Sequence, residues 1–317
     1  MAIAFVFPGQ GSQAVGMGRD LALQFPAAKA VFDEVDQALG QKLADIMWNG
    51  PAEALVLTEN AQPALMAVSM AVMRVLATDH GLRIADRVTF VAGHSLGEYS
   101  ALAAAGAFSL ADAARLLKLR GQAMQKAVPV GVGAMAALLG VGLDAARLIA
   151  ADAAQGDVCD IANDNDATQV VLSGHKTAID RIAEAGKKHG LRRAMPLPVS
   201  APFHCRLMQP AADAMAAALA SVTINRPIVP VIANVLAAPI SDPDQIKRSL
   251  IAQVTGTVRW RECVLAMADA GVTELYEVGS GKVLSGLAGR IDKRLKGTPI
   301  GTPADITAVS AQLSDLH

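Results

Sequence analysis

The chain has 317 residues, 52% of them hydrophobic and 18% charged, and these proportions exclude an intrinsically disordered protein. The formal net charge is -1, which gives no electrostatic reason to expect nucleic acid or an anionic membrane as a partner. No uninterrupted apolar run approaches the roughly 20 residues of a transmembrane helix. Three cysteines without a paired spacing argue against a disulfide framework and a zinc site, so we expect buried Cys159, Cys205 and Cys263, no metal, and a cytoplasmic location.

Strand-like runs alternate with amphipathic stretches in the first part of the chain, which is typical of an α/β fold with a largely parallel sheet. The first run, AIAFVF, has no basic region before it and predicts a strand, not a signal peptide. The glycine-rich loop PGQGSQ follows, then a long apolar helix over about 61–80 and a second core strand, VTFVAG. Small residues predict the next helix, LGEYSALAAAG, and Ser109 is a suitable N-cap for a helix that runs to about Lys126.

The middle of the chain has a different pattern. Between 129 and 199 we expect strands and helices in the order βαββαβ, which is that of a ferredoxin-like unit. A last core strand is expected at TELYEVG, and the polar tail from about Gly297 is expected to be peripheral. We therefore predict a hydrolase-like parallel-sheet core, residues 1–128 and 200–317, with a smaller ferredoxin-like subdomain, residues 129–199, inserted into it.

The pentapeptide GHSLG, residues 93–97, has the form G-x-S-x-G between a predicted strand and a predicted helix. Such a nucleophile elbow exposes a serine oxygen, and the helix N-terminus behind it favours developing negative charge. The pentapeptide alone would arise by chance in about one in ten chains of this kind, so its position between strand and helix carries the argument. Ser95 is therefore the candidate nucleophile, and a helix-capping serine is the alternative.

A nucleophilic serine needs a base, and His204 is the candidate among the six histidines. It stands in the loop VSAPFHC, in the half of the chain that rejoins the core, and a satisfied structural histidine is the alternative reading. In α/β-hydrolases an acidic residue and then a late histidine follow the serine, whereas only His317 follows His204 and no acidic partner stands out. The order of the residues therefore disfavours an ordinary esterase.

Arg120 lies on the apolar face of the helix predicted from Ser109. Leu116, Leu117 and Met124 are three or four residues away and share that face. Because an unpaired buried charge is very costly, the guanidinium needs a partner. A structural Asp or Glu is one possibility, and the carboxylate of a substrate, held by the guanidinium fork, is the other.

Five motifs in one order resemble the malonyl-CoA:acyl-carrier-protein transacylase family, the acyltransferases of fatty-acid and polyketide synthesis. They are FPGQGSQ, GHSLGE, LRGQAMQ, APFHC and EVGSGKVLSGL, and the resemblance covers about residues 3–295. It implies transfer of the malonyl group from malonyl-CoA to the phosphopantetheine thiol of acyl carrier protein, through a malonyl ester of Ser95. No cofactor is implied beyond the CoA thioester, which is the substrate.

The same resemblance implies roles for single residues. Ser95 matches the nucleophile, His204 matches its base, and the main-chain carbonyl of Gln253 matches the group that orients the histidine in place of an acid. The backbone amides of Gln10 and Leu96 match the oxyanion hole.

Two further positions match the part of the family site that selects the acyl group. Arg120 matches the arginine that binds the malonyl carboxylate, and Phe203 resembles the residue before the histidine in malonyl-selective members. Asn163 is an expected structural contributor from the small subdomain, although DND (residues 164–166) replaces the more usual residues.

Acyl carrier proteins are usually acidic, so the resemblance also predicts a local basic patch, with ordinary solvated charge as the alternative. Two runs are candidates: Lys187, Lys188, Arg192 and Arg193, or Lys293, Arg294 and Lys296. We expect a monomer without nucleic acid or membrane partners. The alternatives for function are a serine hydrolase of acyl esters or thioesters, a malonyl transferase for a polyketide or malonate decarboxylase system, and a non-catalytic binding module.

Overall fold

The structure is a computed structural model that describes residues 2–199 and 201–314. The strands are β1 (Ala2–Phe7), β2 (Phe90–Gly93), β3 (Gly133–Leu139), β4 (Cys159–Asp166), β5 (Gln169–His175), β6 (Arg193–Pro196), β7 (Val231–Ala233), β8 (Ala238–Ile240), β9 (Val272–Val278) and β10 (Lys296–Ile300). The helices are α1 (Arg19–Gln24), α2 (Pro26–Leu39), α3 (Leu43–Asn49), α4 (Ala52–Val56), α5 (Thr58–Thr78), α6 (Ile84–Arg87), α7 (Gly97–Ala104), α8 (Leu110–Ala127), α9 (Leu143–Ala154), α10 (Lys176–Ala185), α11 (Gln209–Ala220), α12 (Pro243–Thr255), α13 (Trp260–Asp269), α14 (Val283–Ile291) and α15 (Pro303–Ser314).

The larger sheet has the strand order β10-β9-β1-β2-β7-β8. Neighbouring strands from β10 to β7 pair in parallel, and β8 turns back antiparallel to β7. The central strand β1 is apolar throughout because both of its faces are buried, with Phe5 in one core cluster and Val6 in another. In such a sheet the carboxyl ends of the parallel strands share one edge, so the loops after β1, β2 and β9 converge there.

The smaller sheet has the order β4-β5-β3-β6 with antiparallel pairs throughout. Together with α9 and α10, its strands follow the predicted order βαββαβ, so the ferredoxin-like arrangement is confirmed. A separate apolar cluster that includes Leu138, Ile149 and Leu172 joins this sheet to its helices. The exact boundaries of the two subdomains stay a prediction.

Strand β4 lies against the larger part of the chain. The Val258 N–H donates to the Ala162 carbonyl at 2.9 Å, and the Asp164 N–H donates to the Val258 carbonyl at 3.0 Å. Arg261 also forms an ion pair with the buried Asp164 at 2.9 Å. The small sheet is thereby held beside the carboxyl edge of the large sheet, with a cleft between them.

Helix α5 is the central helix of the large core. By length and composition it could cross a membrane, with a mean hydropathy of 1.3, but 78% of that window is buried inside the protein. Helices α2 and α8 pack against it. Its apolar character is that of a core helix covered on several sides.

Two local predictions have clear outcomes. Ser109 caps α8 by accepting a hydrogen bond from the Asp112 N–H at 3.0 Å, as its sequence position indicates. The three cysteines are buried and unpaired, as predicted.

The prediction of a peripheral tail is wrong for residues 297–314. Strand β10 pairs with β9 at the edge of the large sheet, and Ile300, Ile306 and Val309 are buried. These three apolar side chains anchor a segment whose overall composition is polar. His317 lies outside the described residues.

Candidate active site

Ser95 lies in the turn between β2 and α7, at the carboxyl edge of the large sheet. Its φ is 55°, in the left-handed region that non-glycine residues rarely occupy. A Cβ at Gly93 would lie 1.9 Å from the Gly97 carbonyl oxygen, and one at Gly97 would lie 2.2 Å from the Phe7 carbonyl oxygen. Both glycines are therefore required by backbone contacts, and the turn has the form of a nucleophile elbow.

His204 directly faces this serine, with its Nε2 atom 2.7 Å from Ser95 Oγ. Its Nδ1 atom lies 2.8 Å from the main-chain oxygen of Gln253. Because a carbonyl oxygen can only accept, Nδ1 carries the proton and Nε2 accepts from the serine hydroxyl. Burial and the nearby Arg120 charge lower the pKa of His204 to about 3, so the imidazole is neutral and has the geometry of a general base.

The Arg120 side chain is buried beside this pair, with only 1% of the residue exposed. Its Nη1 donates to Gln62 Oε1 at 2.8 Å, and its Nη2 donates to Gln253 Oε1 at 2.9 Å. Nη2 also lies 3.2 Å from Ser95 Oγ. No Asp or Glu oxygen in the described residues lies within 4.0 Å of the guanidinium, and its Nε–H has no partner there. The structural ion pair is therefore not found, and the site can accept a carboxylate next to the serine.

Gln10 and Leu96 line the same cleft as Ser95. The Ser95 N–H donates to Asn234 Oδ1 at 2.8 Å and is therefore occupied. Within residues 2–199 and 201–314, neither the Gln10 N–H nor the Leu96 N–H has an acceptor. Two free amides near a serine, one of them at the N-terminus of a helix, can stabilise an oxyanion.

Sequence reasoning missed two buried polar residues that hold the elbow from behind. Asn234 Nδ2 donates to the Gly93 carbonyl at 2.7 Å, while its Oδ1 accepts from Ser95. Glu98 Oε2 accepts from the Asn234 N–H and from Gln253 Nε2, each at 2.9 Å. Burial raises the pKa of Glu98 to about 7. The only sequence signals are a single acidic residue at the start of an apolar helix and a single amide after the strand-like run VIA.

The cleft between the two sheets measures about 450 Å³. The residues lining it from the large subdomain include Ser95, Arg120 and Phe203, and Asn163 lines it from the small one. His94, also at the cleft, is linked across it by a hydrogen bond of 2.9 Å to Asn165 Oδ1. Gln253, in contrast, supports the site from behind. In the described parts of the chain no cluster of three or more His, Cys, Asp or Glu could hold a metal ion.

The fold and the geometry around Ser95 are those of an acyltransferase, an enzyme that passes an acyl group through an enzyme-bound ester. The chain belongs to the acyl transferase domain family, whose model matches residues 4–280.

Individual relatives agree with this assignment. The chain is 47% identical to the malonyl CoA-acyl carrier protein transacylase of Escherichia coli strain K12, over 96% of this chain and 97% of that protein. The crystal structure of an acyl-carrier-protein-S-malonyltransferase from Bartonella henselae is 55% identical, with a TM-score of 0.96 over 99% of this chain and 100% of that one. A malonyl-transacylase solved in complex with its type II polyketide synthase acyl-carrier protein is 40% identical, with a TM-score of 0.94 over 98% and 100% of the two chains.

Proposed function

We propose that this chain transfers the malonyl group of malonyl-CoA to the phosphopantetheine thiol of acyl carrier protein, and so supplies fatty-acid synthesis. One observation carries the proposal: Ser95 Oγ lies 2.7 Å from His204 Nε2 and 3.2 Å from Arg120 Nη2. The nucleophile and its base are therefore close enough to the buried Arg120 cation for one short acyl group to contact both. The names of the relatives in Escherichia coli and Bartonella henselae, which the chain matches over nearly their full length, support the same reaction.

In the first half-reaction, Ser95 Oγ attacks the thioester carbonyl while His204 Nε2 accepts the hydroxyl proton. The amides of Gln10 and Leu96 stabilise the oxyanion of the tetrahedral intermediate. The carbon–sulfur bond then breaks, and the leaving CoA thiolate takes the proton from His204. The Gln253 carbonyl keeps Nδ1 protonated and so keeps Nε2 free to act as the base.

In the second half-reaction, the carrier thiol gives its proton to His204 and attacks the carbonyl of the malonyl ester. The ester bond breaks, the malonyl group stays on the carrier sulfur, and Ser95 Oγ leaves with the proton that His204 returns. The enzyme is then in its starting state. The balance needs no oxidant, reductant or further co-reactant.

Arg120 supplies selectivity in this scheme. The free malonyl carboxylate accepts two charge-assisted hydrogen bonds from the guanidinium, whereas an acetyl group leaves that buried site without an anion. Phe203, buried at the cleft, limits the room beside the α-carbon. Selection for malonyl therefore rests on charge first and on shape second.

Intact-protein mass spectrometry after incubation with malonyl-CoA alone tests the proposal. We expect a persistent malonyl adduct that is missing in Ser95→Ala and is removed by holo acyl carrier protein. Rapid CoA release without an adduct would instead indicate a hydrolase, and neither adduct nor CoA release would indicate a binding module.

We also propose that the carrier protein docks on the first of the two basic runs. In the second run, Arg294 forms ion pairs with Asp269, at 2.7 Å, and with Asp292. The positive charge of that run is therefore partly neutralised. In the first run Lys187 and Lys188 are also paired, with Glu184 and Asp152.

Arg192 and Arg193 are exposed and have no ion pair in the described part of the chain. Arg192 directly precedes β6 and Arg193 is its first residue, and this strand leads into Leu197 at the cleft. The double variant Arg192→Glu/Arg193→Glu should raise the KM for carrier protein by roughly tenfold and weaken its salt dependence, with malonyl adduct formation unchanged. Lys293→Glu is the matched control, and an unchanged KM in the double variant would exclude this surface. A monomeric cytoplasmic enzyme completes the proposal, and light scattering tests its oligomeric state.

A further inference from the structure

Thr58 and Gln62 lie one turn apart at the start of α5, and each is only 1% exposed. Gln62 lines the cleft, and Thr58 lies behind it. Thr58 Oγ1 donates to Gln10 Oε1 at 2.8 Å and accepts from Gln62 Nε2 at 2.9 Å. Gln62 Oε1 in turn accepts from Arg120 Nη1 at 2.8 Å. One hydroxyl group therefore connects the loop that carries Gln10 to the side chain of Arg120. We call Gln10, Thr58, Gln62 and Arg120 the relay.

The arginine sets the direction of the first two hydrogen bonds in the relay. A guanidinium can only donate, so Gln62 must turn its Oε1 toward Arg120 and its Nε2 toward Thr58. The Thr58 hydroxyl accepts from Gln62 Nε2 and donates its one proton to Gln10 Oε1. Because the bonds all run one way and start at a charge, each polarises the next.

Backbone packing fixes the spacing of the relay. A Cβ at Gly121 would lie 2.4 Å from Glu59 Cα and 2.7 Å from the Thr58 carbonyl oxygen. Because residue 121 is glycine, α8 contacts the first turn of α5 backbone to backbone. The residue before it, Arg120, is thereby held within hydrogen-bond distance of Gln62, with little freedom to move along either helix.

We propose that Thr58 is a positioning residue that couples carboxylate recognition at Arg120 to oxyanion stabilisation by the backbone N–H of Gln10. The inference rests on the proposed function. An acyl carboxylate seated on Arg120 is placed by the relay at a fixed distance from the Gln10 loop, so the thioester carbonyl is aligned with the oxyanion site. Thr58 itself does not line the cleft, so it acts through its neighbours.

The test compares Thr58→Val with Thr58→Ser. Valine has the shape of threonine but leaves Gln10 Oε1 and Gln62 Nε2 without their partner, whereas serine keeps the hydroxyl. We expect Thr58→Val to lower kcat for malonyl transfer by about tenfold with little change in the KM for malonyl-CoA, and Thr58→Ser to retain most of kcat. Should Thr58→Val fail to fold, Gln10→Leu removes the other end of the same hydrogen bond while keeping the backbone N–H, and should give the same loss.

A double-mutant cycle separates coupling from mere stability. With malonyl-CoA, Thr58→Val should cost little further activity once Arg120 is replaced by Ala, because the relay then has no fixed direction. With acetyl-CoA the losses in activity from the two changes should multiply, so that their free energies add. Losses that multiply with malonyl-CoA, or wild-type kcat in Thr58→Val, would overturn the proposal. Failure of the proposed function is distinguishable, because it removes the malonyl adduct from the wild-type protein as well.

Discussion

Replacing Arg120 by alanine should abolish the proposed preference of the enzyme for malonyl over acetyl. The variant removes a side chain in a residue that is only 1% exposed, so solvent does not screen the interaction it makes. Two charge-assisted hydrogen bonds to the malonyl carboxylate contribute about 1.5–3 kcal/mol each, or about 3–6 kcal/mol together. At about 1.4 kcal/mol per factor of ten, the ratio of kcat/KM for malonyl-CoA to that for acetyl-CoA should fall by roughly a hundredfold to ten-thousandfold.

The assay measures CoA release with carrier protein as acceptor, for both thioesters and four proteins. Arg120→Lys keeps the charge without the planar fork and should lie between wild type and Arg120→Ala. Arg115→Ala is the matched control, since the Arg115 side chain is 58% exposed on the same helix and pairs with Asp112. Equal losses for malonyl-CoA and acetyl-CoA in Arg120→Ala would refute the reasoning, because they would show that the guanidinium supports the fold of the site and not the choice of acyl group.

Three further predictions concern buried groups and tight turns. Burial raises the Glu98 pKa from 4.5 to about 7, so the folded protein holds this proton more tightly than the unfolded chain does, and stability falls as the pH rises through this range. At about 1.4 kcal/mol per tenfold change in proton affinity, this group should lower the free energy of unfolding in urea by about 3 kcal/mol between about pH 4.5 and about pH 8. Glu98→Gln should lack this decrease, and the same pH dependence in both proteins would contradict the assignment. His204 is a base only when neutral, and with a pKa of about 3 it stays neutral across the usual assay range. In the Glu98→Gln variant, where Glu98 no longer titrates, kcat/KM should therefore stay level from about pH 8 to about pH 5. A tenfold decline per pH unit below about 6.5 would instead indicate a solvated histidine. Gly97→Ala should abolish adduct formation because its Cβ would lie 2.2 Å from the Phe7 carbonyl oxygen, whereas Gly286→Ala, with no atom within 4 Å of its Cβ, should react normally; wild-type reactivity in Gly97→Ala would show that the elbow adapts.

The sequence predicts those site residues whose role is indicated by the residues next to them in the chain. Ser95 is recognisable because a strand, two glycines and a helix surround it within a few residues, and Arg120 because a cation stands on an apolar helix face. The Gln253 carbonyl follows only from the family resemblance, since a backbone group has no side-chain signature. The structure places Ser95 and the Gln253 carbonyl within hydrogen-bond distance of His204, and Arg120 within 3.2 Å of Ser95 Oγ.

The residues that the sequence does not reveal act across long separations. Asn234 holds the Ser95 N–H from 139 positions away, and Thr58 meets Gln10 across 48. Neither belongs to a short pattern, because their partners are set by how α5 and β7 pack against the large sheet. Composition does not predict the position of the tail for a similar reason, since a few buried apolar residues such as Ile300 anchor an otherwise polar segment.

The surroundings of Arg120 set a condition for anyone who wishes to redesign this enzyme for neutral acyl groups. Removing the arginine alone leaves the side-chain oxygens of Gln62 and Gln253, both buried and both accepting from it, without that donor. An apolar residue at position 253 would keep the main-chain oxygen that orients His204, but it would remove the Nε2 donor from the Ser95 carbonyl and from buried Glu98. A useful redesign must therefore keep both glutamines and give their side-chain oxygens another donor in place of the guanidinium. Acyl selectivity and support of the nucleophile elbow thus share Gln253 and cannot be changed independently there.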